Sequence, residues 1–330
     1  MTTMTMAKAL NAGLRRALET DPKVVLIGED IGRLGGVFRI TDGLQKDFGE
    51  HRVIDAPLAE SGIVGTAVGL AMRGYRPVVE IQFDGFVYPA FDQIVSQVAK
   101  LRRRTEGAVG MPIVIRIPYG GGIGAVEHHS ESPEAYFVHT AGLRVLTPSD
   151  AQAAFVTIQQ AIACADPVVF FEPKRRYWDK GEVDEGIDLS RGTTPSPWRS
   201  RTRRPGSDVT IACYGPMVRT CLEAAEAAAS AAGPSIEVID LQSLSPLDID
   251  AVVASVERTG RLVVVHEASR TAGLGAEIAA QVAERCFYSL EAPVLRVTGY
   301  DVPYPPSRLE EHHLPDLDRI LDAVDRSLAH

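Results

Sequence analysis

The sequence predicts two α/β units joined by a linker. Short β-branched runs such as residues 24–27 alternate with longer helical patterns such as residues 5–19. Strands that alternate with helices are typical of a mostly parallel sheet. A stretch rich in Pro, Ser and Arg, without an apolar period, occupies residues 188–207. We interpret it as a linker between a first unit, residues 1–187, and a second unit, residues 208–330.

The elements of the first unit follow from their apolar periods and caps. Residues 91–104 place an apolar residue on one helical face at nearly every turn, and Ser149-Asp150 is typical of a helix N-cap. The β-branched and aromatic runs between these helices are short enough for buried strands. The predicted helices are 5–19, one beginning near Glu60, 91–104 and 151–163. The predicted strands are 24–27, 53–54, 77–83, 112–118, 142–146 and 167–171.

The second unit repeats this alternation. An alanine-rich helix ends at Gly233, and Gly273-Leu-Gly275 precedes another helical segment. The predicted strands are 209–214, 236–241, 262–267 and 294–297. The predicted helices are 218–232, 248–258, 276–285 and 317–328.

Composition excludes several classes of protein. A net charge of -9 over 330 residues argues against a nucleic-acid binder and against a polybasic membrane surface. The four cysteines are scattered without metal-ligand spacing, which is typical of reduced thiols in a cytoplasmic protein. The first residues lack the order of a signal peptide, and no apolar run reaches the ~20 residues that span a bilayer. We therefore expect a cytoplasmic protein without a membrane partner.

The most informative segment surrounds Glu60. From Gly62 to Met72 no residue carries a charge, which predicts a buried helix and excludes a surface helix with one wet face. Gly62, Gly65 and Gly69 recur at helical spacing and permit close backbone approach. A carboxylate held just before such a helix has a raised proton affinity, which suits protonation of a buried nitrogen. A Glu that stabilises the helix start through the dipole remains the alternative.

A second polar cluster lies on a glycine-rich loop after the 112–118 strand. It contains His128 and His129, and ligands bind at such loops in parallel sheets. A histidine with a pKa near neutrality suits proton transfer or stabilisation of an oxyanion, although the loop alone slightly favours a histidine that only anchors the loop. A zinc site has no support from the spacing. Gly120-Gly121-Gly122-Ile-Gly124 is a weak dinucleotide signal, because no clear helix follows it.

A third element joins a strand to a loop dense in aromatic residues. It contains Gln82 and Phe86. An aromatic side chain at a strand exit can stack on a flat heterocycle, and more often it fills the core.

Together these segments resemble one family over nearly the whole chain: the β subunits of the thiamine-diphosphate-dependent 2-oxo acid dehydrogenases, E1β. The segments that carry the resemblance are Gly28-Glu-Asp-Ile-Gly, Gly35-Gly-Val-Phe-Arg, Pro57-Leu-Ala-Glu60-Ser-Gly-Ile, Glu80-Ile-Gln-Phe, Pro89-Ala-Phe-Asp-Gln, Phe171-Glu-Pro-Lys and Gly273-Leu-Gly-Ala-Glu277. The resemblance implies a transketolase-like pyrimidine-binding domain followed by a transketolase C-terminal-like domain.

The resemblance also implies roles for individual residues. Glu60 matches the glutamate that hydrogen-bonds N1′ of the aminopyrimidine ring, and Phe86 matches the aromatic residue that stacks on that ring. Leu58 and Gln82 match further positions of the pocket. His129 matches a histidine at the mouth of the active site that assists acyl transfer to a lipoyl arm.

Partners follow from the resemblance and from one absent motif. The Gly-Asp-Gly…Asn motif that holds the diphosphate through Mg²⁺ does not occur here. An E1 α subunit is therefore expected to supply that half of the site and its Mg²⁺ in an α2β2 heterotetramer. The family's C-terminal domain docks the acyltransferase core, E2, whose basic binding module suits an acidic face.

The family further implies a site for a monovalent cation, usually potassium. The matching residues are Ile113, Ala161, Ile162 and Cys164 through main-chain oxygens and Asp166 through its side chain. Cys164 stands where an Asp is common, which weakens this assignment.

The substrate prediction rests on the segment from His129 to Phe137. Its Ser-Pro-Glu-Ala portion resembles branched-chain 2-oxo acid enzymes more than pyruvate enzymes, so we expect branched-chain substrates, with pyruvate as the alternative. A transketolase or deoxyxylulose-phosphate synthase would carry both halves of the cofactor site in one longer chain. A non-catalytic scaffold subunit is the alternative from another class, and the presence of Glu60, Phe86 and His129 argues against it.

Overall fold

The structure, a computed structural model, describes residues 1–189 and 194–330. The chain divides into two compact units: unit 1 is Met1–Tyr119 with Tyr136–Pro197, and unit 2 is Gly120–Ala135 with Trp198–His330. This division differs from the predicted one because the glycine-rich loop at 120–135 belongs to unit 2. The boundary between Pro197 and Trp198 falls inside the predicted linker, residues 188–207. Residues 190–193 of that linker lie outside the described residues.

Unit 1 alternates strands and helices as predicted. Its strands are β1 (Thr2–Thr5), β2 (Val24–Gly28), β3 (Val53–Asp55), β4 (Arg76–Glu80), β5 (Val114–Tyr119), β6 (Arg144–Leu146), β7 (Val168–Pro173) and β8 (Lys180–Val183). Its helices are α1 (Met6–Thr20), α2 (Leu44–Phe48), α3 (Glu60–Met72), α4 (Leu101–Arg104) and α6 (Ala151–Ala163), while α5 (Glu134–Val138) lies where the chain passes from unit 2 back to unit 1.

The main sheet of unit 1 is parallel, with strand order β6-β7-β5-β4-β2-β3. Every residue of β2, β5 and β7 is buried, which explains why these strands read as continuous apolar runs instead of alternating patterns. Asp150 caps α6 as predicted, with its carboxylate accepting a hydrogen bond from the amide of Ala153 at 2.7 Å. A separate antiparallel pair, β1 with β8, was not predicted.

The predicted helix at 91–104 is divided into two pieces, with a further turn just before it. A 3₁₀ turn at Asp84–Ala90 precedes a π-helical segment at Gln93–Val98, and α4 follows. Ile94 and Val98 are buried, so the predicted apolar face is real. An apolar period over so few residues cannot distinguish α- from π-helical winding, and single π turns are frequent at functional sites.

The structure of α3 differs from the predicted buried helix. Ile63, Val64, Ala67 and Ala71 are buried, but the opposite side of the helix, which contains all three glycines, is exposed within this chain. A Cβ atom added at Gly65 or Gly69 would meet nothing within 4 Å. The helix therefore has an exposed face, and that face carries no charge.

Unit 2 contains a second sheet, with strand order β14-β13-β10-β11-β9. Its strands are β9 (Arg201–Arg204), β10 (Val209–Cys213), β11 (Ile236–Asp240), β13 (Leu262–Ser269) and β14 (Leu295–Gly299), and β12 (Ser243–Ser245) is a further short strand. Its helices are α7 (Met217–Ser230), α8 (Ile249–Thr259), α9 (Leu274–Cys286), α10 (Glu310–His313) and α11 (Leu317–Leu328). Helices α7 and α11 pack together over an apolar core that includes Cys221, Ile320 and Val324.

Strand β9 lies where the sequence predicted an irregular linker. It runs antiparallel to β11 at one edge of the sheet. Arg203 lies 3.7 Å from the carboxylate of Asp240, and Arg204 lies 3.7 Å from that of Glu226. An edge strand that carries charges shows no apolar period, so the pattern of this segment did not predict a strand.

Within the described ranges, no helix is both long and apolar enough to cross a membrane.

Candidate active site

Three of the predicted site residues lie at one edge of the unit 1 sheet. Strands β2, β3 and β4 end side by side, with Gly28 in register with Asp55 and with Glu80. The segments that follow β3 and β4 carry Glu60, Gln82 and Phe86, and α3 packs against the turn that holds Phe86. The carboxyl ends of parallel strands are the usual place for a ligand, so the topology gathers these side chains where one would bind.

Glu60 is the first residue of α3 and is only 9% exposed. The N-cap position is Ala59, and no side chain of the described residues caps this helix start. Burial, reinforced by the charges of Asp30 and Glu60, raises the pKa of the neighbouring Glu29. Glu60 is therefore a buried carboxylate at the sheet edge where a ligand would bind.

An aromatic cluster surrounds the exit of β4. Phe86 packs edge-on against Phe83 at a centroid distance of 6.0 Å, and Phe83 packs edge-on against Phe38 at 5.4 Å. Phe86 and Gln82 are half-buried, so each retains accessible surface, while Leu58 is 67% exposed. The structure thus presents an aromatic side chain, an amide and an apolar side chain near the buried acid.

A buried ion network beneath this edge was not predicted. The Arg116 guanidinium donates two hydrogen bonds to Glu172, at 2.7 and 2.9 Å, and one to Glu80 at 2.5 Å. Lys174 forms a fully buried ion pair with Asp84, two residues before Phe86. Glu80, Asp84 and the Phe171-Glu-Pro-Lys segment were visible in the sequence as charges inside apolar surroundings, and such charges occur in cores only when paired. The network fixes the strand exit that carries Gln82 and Phe86.

His129 lies in unit 2, on a 3₁₀ turn at Glu127–His129. Its ring is half-buried and lies 4.3 Å from the ring of His128. Nδ1 of His129 is 2.9 Å from the main-chain oxygen of His128. Because a carbonyl oxygen only accepts, Nδ1 carries a proton, and Nε2 is the ring nitrogen at which a proton can be exchanged. This arrangement suits a group that exchanges a proton through Nε2.

The glycine loop that precedes this turn binds an internal carboxylate. Glu310 accepts hydrogen bonds from the amides of Gly122 and Gly124 at 2.7 and 3.0 Å. The amide of Gly121 donates to Glu267 at 3.1 Å. The amides that a dinucleotide phosphate would need are therefore engaged by carboxylates of the same unit, which explains the glycines without a nucleotide.

The residues predicted to bind potassium face hydrogen-bond donors. Nη1 of Arg76 donates to the main-chain oxygens of Ile162 and Cys164 at 2.8 and 3.1 Å. The carboxylate of Asp166 pairs with Arg102 and with Arg144.

The two remaining main-chain oxygens are also engaged. The oxygen of Ile113 accepts from the amide of Val168 at 2.9 Å, and that of Ala161 accepts from the amide of Cys164 at 3.2 Å. Because guanidinium groups already contact the oxygens of Ile162 and Cys164 and the carboxylate of Asp166, a further cation there would meet like charge. In this arrangement the residues do not fit potassium.

Comparison with known proteins agrees with both units. The family model described as "Transketolase, pyrimidine binding domain" matches residues 2–179, and the model described as "Transketolase, C-terminal domain" matches residues 199–320. A pyruvate dehydrogenase E1 component subunit beta from Leifsonia xyli subsp. xyli is 61% identical over 326 residues, which cover 98% of this chain and 95% of that protein. The chain belongs to the E1β family of 2-oxo acid dehydrogenase complexes. A 3-methyl-2-oxobutanoate dehydrogenase subunit beta from Mycobacterium tuberculosis is 54% identical, over 98% of this chain and 92% of that protein.

A solved structure shares the fold. The protein titled "Split gene transketolase, inactive beta4 tetramer" has a TM-score of 0.79 and 24% identity, and the match covers 99% of this chain and 98% of that one. The predicted α/β fold, with transketolase-like pyrimidine-binding and C-terminal domains, is confirmed, and so is membership of a thiamine-diphosphate-dependent oxidoreductase family.

Proposed function

We propose that this E1β chain completes the thiamine diphosphate site of an α2β2 enzyme that decarboxylates branched-chain 2-oxo acids and passes the acyl group to the lipoyl arm of E2. The observation that carries the proposal is the buried Glu60 at the start of α3, beside the turn that holds Phe86. Together they provide a carboxylate and an aromatic face at the sheet edge where a ligand binds.

The residues fit the pyrimidine half of the cofactor. Bound thiamine diphosphate supplies the electron sink for decarboxylation. Glu60 would hold a proton at the N1′ atom of the pyrimidine, Phe86 would stack on the ring, and Gln82 and Leu58 would border it. The burial of Glu60 would exclude water from this hydrogen bond and so strengthen it.

His129 acts at the second stage. On transfer of the acyl group to one lipoyl sulfur, the electron pair left by decarboxylation would break the S–S bond, and the other sulfur would take up a proton. In its protonated form, the imidazole can deliver that proton from Nε2, since Nδ1–H is held by the oxygen of His128. The ring is half-buried, so it remains accessible to a swinging arm.

Partners follow from what this chain offers. The exposed, uncharged glycine face of α3 supports close packing with an α subunit, which would supply the diphosphate half of the site and Mg²⁺. Unit 2, which corresponds to the family's C-terminal domain, is proposed to dock E2. The four cysteines are free thiols, which supports a cytoplasmic location.

The proposal includes a choice of substrate between branched-chain 2-oxo acids and pyruvate. The Ser-Pro-Glu-Ala segment supports branched-chain acids, and relatives named for pyruvate and for 3-methyl-2-oxobutanoate are both similar to this chain. Glu134 of that segment is buried and accepts a hydrogen bond from Tyr214 at 2.7 Å. Any influence of this residue on substrate choice is therefore indirect, through the shape of the loop.

The test is Glu60→Gln in the enzyme assembled with its α subunit. We expect decarboxylation to fall by about 100-fold or more, because a neutral amide cannot hold the proton that the carboxylate holds. Glu277→Gln is the matched control, since Glu277 is an exposed acid in the first turn of α9. Full activity of Glu60→Gln would instead support a scaffold subunit.

The same assembly decides the substrate. We expect kcat/KM for 3-methyl-2-oxobutanoate to exceed that for pyruvate by about tenfold, since the extra methyl groups are worth only ~1–3 kcal/mol. A preference for pyruvate would assign the chain to the alternative.

A further inference from the structure

The glycine loop and the histidine turn form one closed segment of unit 2. The amide of Gly120 donates to the main-chain oxygen of Glu131 at 2.9 Å, which ties the two ends of the loop together. The turn that carries His129 lies between them, and the amide of His129 donates to the oxygen of Val126 at 3.0 Å. Residues 120–131 therefore form a closed loop, and the conformation of this loop determines the position of the His129 imidazole.

Glu310 anchors the glycine-containing part of this loop. Its carboxylate accepts three hydrogen bonds, from the amides of Gly122 and Gly124 and from the hydroxyl of Tyr304 at 2.7 Å. Glu310 is only 6% exposed, and hydrogen bonds to a buried carboxylate are roughly twice as strong as neutral ones. The anchor comes from the start of α10, far along the chain, so local loop chemistry does not provide it.

The backbone conformation of the loop requires glycine at the positions that contact or border this carboxylate. Gly122 and Gly124 have φ values of +87° and +70°, which L side chains rarely adopt. A Cβ atom at Gly121 would overlap the Tyr304 hydroxyl, and one at Gly124 would lie 3.0 Å from Oγ of Ser307. Backbone amides turned inward by such conformations form an anion cradle, and Glu310 fills it.

We propose that Glu310 is the positioning residue for His129. The proposal rests on the proposed function of His129 in acyl transfer. Gly124 is separated from the Glu127–His129 turn by only two residues. Loss of the hydrogen bonds from Gly122 and Gly124 to Glu310 would therefore increase the mobility of that turn. Glu310 touches neither substrate nor cofactor in this scheme and acts by fixing the loop.

The experiment uses Glu310→Gln in the assembled enzyme. An amide group places N–H donors against N–H donors, so at least one glycine bond is lost while side-chain volume is kept. We expect kcat for reductive acylation of a free lipoyl domain to fall by about 10- to 100-fold, the effect of misplacing a reacting group by about 1 Å. Decarboxylation measured with an artificial electron acceptor should change by less than about twofold, with KM for the 2-oxo acid unchanged.

Two further variants act as controls. Glu311→Gln makes the same change of charge one residue on, at an exposed side chain, and should match the wild type in both assays. Tyr304→Phe removes one of the three bonds and leaves the glycine amides paired, so its loss in acyl transfer should be smaller than that of Glu310→Gln.

Amide hydrogen exchange provides a readout independent of turnover. In Glu310→Gln, exchange should accelerate in the peptide covering residues 120–131 and stay unchanged in β10 and β13. Equal acyl transfer and equal exchange in Glu310→Gln and wild type would overturn the positioning role alone. A wild-type enzyme that decarboxylates but fails to acylate the lipoyl domain would overturn the proposed function together with it. A loss of acyl transfer in Glu310→Gln without faster exchange would also overturn the positioning role.

Discussion

Two glycine-bearing segments of this chain have opposite surroundings. On α3, Cβ atoms at Gly65 and Gly69 would point into open space. In the loop of unit 2, Cβ atoms at Gly120 and Gly121 would collide with the Glu267 carboxylate, at 2.8 Å, and with the Tyr304 hydroxyl. Glycine permits close approach in both places, but only the loop receives its neighbour from the same unit.

The glycine loop of unit 2 is an internal packing contact, whereas the glycine face of α3 is an exposed surface. The loop is completed by Glu267, Tyr304 and Glu310, so its glycines contribute to the stability of unit 2 itself. The α3 face is uncharged and exposed, so its glycines contribute nothing to packing within this chain. Substitutions at the two places should therefore have effects of opposite sign on the isolated chain.

The largest effect is expected for Gly121→Ala. The added methyl group overlaps Tyr304, and overpacking of this kind costs about 3 kcal/mol or more where neighbours cannot shift. Thermal unfolding should show a lower midpoint, and adding Tyr304→Phe should restore part of it because the hydroxyl that clashes is removed. An unchanged midpoint in Gly121→Ala would show that the loop is as open as the α3 face.

An intermediate effect concerns the pH dependence of unit 2. Burial raises the pKa of Glu134 to about 7, with the neighbouring charge of Glu267 adding to the rise, while Tyr214 opposes it. Burial lowers the pKa of His266 to about 4, and its ring stacks on Tyr214 at 5.8 Å. Glu134 contributes stability at low pH that is lost as pH rises toward 7. His266 contributes stability above its ordinary pKa of 6.5 that is lost as pH falls toward 4.

These two contributions nearly cancel between about pH 5 and 8 in the wild type. Glu134→Gln removes one of them, so the variant should gain about 2 kcal/mol of stability from pH 5 to pH 8, at about 1.4 kcal/mol per pKa unit. Chemical denaturation at several pH values measures the slope. His266→Gln should show the opposite slope, and a flat profile for both variants would contradict the burial argument.

The smallest effect is expected for Gly65→Ala. Alanine in a helix interior is more favourable than glycine by roughly 0.5–1 kcal/mol, and here it meets no neighbour. The isolated chain should unfold at a slightly higher temperature, while assembly with an α subunit, followed by sedimentation, should weaken because the proposed packing face is no longer flat. A lower unfolding temperature of the isolated chain would show that the face is packed internally.

The sequence predicted most of the fold because its strands and helices are strongly periodic. The strands buried on both faces, such as β5, read as apolar runs, and α1 and α6 read as helices with clear caps or faces. It missed β9 because an edge strand needs no apolar alternation. It missed the division at Gly120 because that depends on Glu310, nearly two hundred residues away in sequence, reaching back to the loop.

The positions of some candidate site residues could be predicted for the same reason. Glu60 and Phe86 stand within a few residues of strand ends, and the rule for parallel sheets places them together. The network of Arg116, Lys174 and Asp84 depends on pairings across several strands, which a linear pattern does not reveal. The engagement of Ile162 and Cys164 by Arg76 depends likewise on a residue in another strand.

The arginines of β9 have a consequence for crowded copies of this protein. An unprotected sheet edge can recruit a strand from a second molecule and so begin aggregation. At this edge a copy of β9 would bring Arg201, Arg203 and Arg204 against the same residues of its neighbour. Like charges would oppose the addition of such a strand at this edge.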